Sequence, residues 1–127
     1  MRQLTETWKK IERIASYDRR YKAQAYSFVM AAVEYTISLL DEPRHVSAGE
    51  LLEGIRRFSM KQYGPMAKQV FNFWGINETQ DFGSIVYNLI DEGLLSKNEE
   101  DSLDDFRSVY DFAKAFEEDY YGNEDPG

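Results

Sequence analysis

Two groups of residues have types and spacings that could do chemistry. The first is Arg13, Tyr17, Arg19, Arg20, Tyr21 and Lys22, in which aromatic rings alternate with cations. Rings stack bases and cations neutralise phosphates, so this pattern suits single-stranded RNA. The competing reading is that the tyrosines pack on the core while the cations pair with an acidic C-terminal helix. The second group is Phe116, Tyr120 and Tyr121, large rings near the C-terminus that could anchor a protein partner or a second copy of the chain.

Most other chemistries fail on residue type. The 127 residues include no Cys, which removes disulfides, thiolate nucleophiles and Cys-based metal sites. His45 is the one histidine, and its place after Pro43-Arg44 and before a helix cap suits a loop or capping role better than catalysis. The acids Glu99, Glu100, Asp101, Asp104 and Asp105 lack the alternation and central Gly of a calcium loop and read as a solvated acidic turn. The eight glycines are scattered, with no phosphate-cradling loop among them. No catalytic residue, cofactor or metal is therefore expected. An enzyme using carboxylates with Tyr or Lys stays open as a third reading, and it needs acids converging in a deep cleft.

Charge is distributed unevenly. Residues 1–24 carry seven Lys or Arg against three acids, residues 98–127 carry two against eleven, and the net charge is −8. A balance of this sign repels phosphates at long range. The leading residues, with Arg2, Glu6, Lys9 and Lys10, form no apolar signal core, so a cytoplasmic protein is expected.

The elements that must position these groups are helical by pattern. Leu4, Trp8, Ile11 and Ala15 recur at helical spacing over 3–15, with Trp8 as a core anchor. The stretch Ala25–Leu40 is almost wholly apolar, with Glu34 its only charge. That predicts a central helix over 21–41, covered from several directions; its apolar stretch of sixteen residues with a central acid is too short for a membrane span of about twenty. Pro43 ends it, and Ser47-Ala48-Gly49-Glu50 is a capping box. Helices follow over 48–63, 65–74 and 79–92, stopped by Gly64-Pro65, Gly75 and Gly93. Residues 103–112 fit a helix or a strand equally well. Phe112, Phe116 and Tyr120 align on a last helix over 112–121.

The predicted architecture is a mainly α single globular domain over 1–121, with an N-terminal helical pair at 1–41. A winged-helix-like three-helix unit at 42–112, with room for a short β-hairpin as its wing, precedes the C-terminal helix at 112–121. Residues 122–127 are expected to be a disordered tail. The third helix of such a unit would read duplex DNA, yet no Lys or Arg occurs from Gln69 to Ser96, and Glu78, Asp81, Asp91 and Glu92 lie there instead. Those acids would repel a duplex and release no counterions, so duplex DNA is disfavoured.

The stretch Pro43–Ser102 resembles a family of short, conserved bacterial proteins to which no activity is assigned. The resemblance rests above all on Arg44-His45-Val46-Ser47-Ala48-Gly49-Glu50-Leu51-Leu52, Asp81-Phe82-Gly83 and Glu92-Gly93-Leu94-Leu95-Ser96-Lys97. It extends through Ala25-Tyr26 and Phe28 upstream and Tyr110-Asp111-Phe112 downstream, and implies a bacterial, cytosolic, single-domain protein. The leading functional expectation is a non-catalytic protein-binding or regulatory module.

Overall fold

The computed structural model describes residues 2–97, 101–112 and 114–118. The chain is mainly helical, with five α-helices among the described residues: α1 Arg2–Tyr17, α2 Ala23–Ser38, α3 Ala48–Tyr63, α4 Ala67–Phe73 and α5 Thr79–Asp91. Short 3-10 turns follow at Gly64–Met66 and Leu103–Phe106, and a π-helical turn at Lys114–Glu118. Among the described residues there is no β-strand. In the described parts of the stretch where a wing would run, 94–97 and 101–112, the chain forms bends, turns and the Leu103–Phe106 3-10 turn. Ser102 starts that turn by donating its amide N–H to Asp105 Oδ2 at 2.8 Å.

Helix α2 packs against α1, α3 and α5. It is shorter than the predicted 21–41 and not covered all round. Gln24, Ser27, Ala31, Glu34 and Ser38 recur at helical spacing and are exposed, so one stripe faces solvent. At α3, Glu50 N–H donates to Ser47 Oγ at 3.1 Å and Ser47 N–H donates to Glu50 Oε1 at 2.9 Å, closing the expected capping box. Gly75 and Gly93 adopt φ of +94° and +75°, the left-handed conformation that stops α4 and α5.

The core is aromatic. Phe71, the one large buried residue of α4, lies 5.2 Å from the rings of both Phe82 and Phe116, 5.3 Å from Phe28 and 5.9 Å from Phe112. Ring pairs of this kind add about 0.5–1.5 kcal/mol each beyond burial. Phe116 is 0% exposed, so it belongs to this cluster and is no surface anchor. Tyr120, Tyr121 and the tail 122–127 lie outside the described residues.

Trp8 also departs from expectation. It is 40% exposed, while Ile11 and Ile14 are buried. At about 100° per residue, the buried face of α1 centres between Ile11 and Ile14, and Trp8 sits about a quarter-turn away.

Helix α5, third in the α3–α4–α5 order, is enclosed. It packs against α1, α2, α3 and the Leu103–Phe106 turn, where Phe106 lies so close to Gly83 that a Cβ there would collide with its ring. Asp91 is its single exposed residue.

Candidate functional site

The basic-aromatic segment forms the turn between α1 and α2, and the structure divides its residues. Tyr21 is buried, and its phenol donates to Asp81 Oδ1 at 2.6 Å. Burial, reinforced by Asp81, pushes its pKa well above the ordinary tyrosine value. Arg20 grips Asp18 with two hydrogen bonds, 2.9 Å from Nε and 2.7 Å from Nη2. Asp18 also accepts from Asn88 Nδ2 at 2.8 Å. These bonds, the Arg20 guanidinium first, hold the Asp18 carboxyl well below the usual carboxylate range. Asn88 Nδ2 also donates to Tyr26 Oη at 3.1 Å, and burial pushes the Tyr26 phenol up to about 12.

The turn is pressed onto the α4–α5 junction. Lys22 N–H donates to the Trp74 carbonyl at 3.1 Å, and Gly75 packs directly on the Arg20 carbonyl. Arg13 reaches Glu92 at 3.4 Å, at the end of α5 and not in the C-terminal acidic segment. Tyr17 and Arg19 are exposed, as is Lys22, whose Nζ lies 5.0 Å from the ring centroid of exposed Phe73. Of the six residues, one is core, two are ion-paired, and Tyr17, Arg19 and Lys22 remain at the surface. Phe73, which sequence spacing did not connect with them, is brought in by the tertiary fold.

A larger feature lies on the other side of α5. A cleft of about 530 Å³ opens between α2, α3, α5 and the chain on either side of them. That volume falls within the ~300–1,000 Å³ typical of small-molecule sites. Its walls are apolar: Val33 and Ile37 of α2, Leu51 of α3, Val86 and Ile90 of α5, and Leu94 and Leu95 beyond it. The periodic pattern of α2 contains a trace of it, since Val33 and Ile37 are apolar yet only half-buried.

The lining also includes a polar rim of Arg44, His45, Ser47, Tyr87, Ser96 and Asp101. Asp101 Oδ2 accepts the Ala48 N–H at 3.0 Å, and its carbonyl accepts the Tyr87 hydroxyl at 3.2 Å, so this acid ties the rim to the start of α3. Arg44 makes two hydrogen bonds to Glu50, at 3.0 and 2.8 Å, and one to the His45 carbonyl at 2.9 Å. The Arg44 fork, with the Ser47 amide, draws the Glu50 carboxyl down to about 2. Asp101 is the one carboxylate among the described lining residues. Among the described residues, no group of three or more His, Asp or Glu side chains could hold a metal, and no helix is long and apolar enough to cross a membrane.

Compared with models of protein families, with curated proteins and with solved structures, the chain matches none of them.

Proposed function

We propose that this protein is a non-catalytic protein-binding or regulatory module whose working surface is the cleft between α2, α3 and α5. The carrying observation is that cleft itself, concave, of small-molecule size and apolar, with a single carboxylate among its described lining residues, tied to the Ala48 amide. Hydrolysis by two carboxylates would need a second acid facing the first across a substrate. We read α3, α4 and α5 as winged-helix-like in element order alone, with α5 enclosed and acidic, an arrangement unsuited to a DNA groove. The RNA reading retains Tyr17, Arg19 and Lys22 and gains Phe73 beside Lys22, but loses Tyr21 to the core, Arg20 to Asp18 and Arg13 to Glu92, and so draws less support.

The experiment is a fragment screen by amide-resolved NMR on the full chain, followed by turnover assays on every hit. Binding should perturb residues around Val33, Val46, Ile90 and Leu94, and Ile90→Trp should abolish it by filling the space. Shifts scattered over the surface, or chemical conversion of the hits, would remove the proposal.

A further inference from the structure

The hydrogen-bonding state of the rim is asymmetric. Asp101 Oδ2 takes the Ala48 N–H, and Glu50 takes the Arg44 fork and the Ser47 N–H. The donor-only group of the rim, the Arg44 guanidinium, keeps unspent hydrogens. Arg44 Nη1 is fully committed, but its Nε–H and the second hydrogen of Nη2 face no acceptor among the described residues. The His45 imidazole and the Ser96 hydroxyl, each able to donate or to accept, have no hydrogen-bond partner among the described residues. Arg44 and His45 are exposed at the rim, while the space beneath them is walled by Ile37, Ile90 and Leu94.

A molecule that satisfies this site needs an apolar body and an acceptor head. Planar guanidinium N–H donors match a carboxylate best, because its two oxygens can take parallel hydrogen bonds. We infer that the cleft is a binding site for a small amphipathic carboxylate, its apolar body between α2 and α5 and its head at Arg44 and His45. This inference rests on the reading of the cleft as the working surface and adds the chemical class of its occupant.

The test titrates the isotope-labelled full chain with octanoate, 1-octanol and octylammonium, each below its micelle-forming concentration, and follows the amides lining the cleft. Octanoate should bind about tenfold more tightly than octanol, the gain expected of a charge-assisted hydrogen bond, and octylammonium most weakly. The octanoate advantage should vanish in the Arg44→Gln, His45→Gln double variant, with octanol binding unchanged. Ile90→Trp should remove binding of all three, and Leu94→Trp provides the same test should the first variant fold poorly.

Equal affinity for octanoate and octanol, tighter binding of octylammonium, or an advantage that survives the double variant overturns the carboxylate assignment and leaves the cleft reading intact. If none of the three perturbs the cleft, the inference and the proposed working surface fall together.

Discussion

Tyr21 Oη lies 2.6 Å from Asp81 Oδ1, a hydrogen bond across sixty positions of sequence. The other carboxylate oxygen of Asp81 accepts the amide N–H groups of Asn77 and Glu78, at 2.8 and 3.2 Å. One side chain thus caps the start of α5 and fastens it to the turn between α1 and α2. The basic-aromatic segment is held rigidly at its buried tyrosine while its free cations face outward.

Tyr21→Phe should destabilise the fold by about 1–3 kcal/mol, the cost of leaving a part-buried carboxylate oxygen without its donor. Burial raises the folded-state pKa of Tyr21 and Tyr26, the latter to about 12, above the ordinary value of 10.0. The stability they contribute is therefore fully present below pH 10 and is lost as pH rises through 12, where the unfolded chain has released protons the folded chain keeps. Urea midpoints measured from pH 8 to 12 should fall along that limb, and less steeply in Tyr21→Phe.

Asp18 predicts the acid side. Its folded-state pKa is depressed by Arg20 and Asn88, so its contribution is present above the ordinary carboxylate value of 3.8 and drains away as pH falls below it. Asp18→Asn should cost about 1–3 kcal/mol at neutral pH, because it strips a hydrogen-bonded charge from both partners. The variant should also show a shallower loss of stability between pH 5 and pH 2 in urea titrations. An acid limb as steep as that of the parent protein would refute the assignment.

Gly75 and Gly93 form a matched pair. Both have positive φ, but a Cβ at Gly75 would run into the Arg20 carbonyl, whereas one at Gly93 would meet open space. Gly93→Ala should cost about 1 kcal/mol of backbone strain alone. Gly75→Ala should cost clearly more, because the turn between α1 and α2 must move off the α4–α5 junction. Thermal melts of the two variants compared side by side will order them.

On α1, Ile14→Ala should cost about 2–5 kcal/mol, as expected for a side chain that is 0% exposed. Trp8→Ser should change stability by no more than about 0.5 kcal/mol, since Trp8 is 40% exposed. Chemical denaturation of both variants checks which face of α1 the core occupies.

Much of the local architecture is legible in the residues themselves. The Ser47–Glu50 capping box, the glycine stops at 75 and 93, and the helical character of 48–63 and 79–91 depend on contacts within a turn or two of the chain, and such contacts are encoded at short spacing. Composition alone also removes Cys-based chemistry and leaves a single His. Tertiary packing decided which side of each stripe is covered. Ile14 displaced Trp8 from the core, and Phe116 went inward because the ring of Phe71 offered it a partner at 5.2 Å. The cleft belongs wholly to that second category: its walls come from α2, α3 and α5, and its donors from the loop between two of them. Spacing along a chain carries the face of one helix, but a concave surface exists only where several faces fail to close on one another.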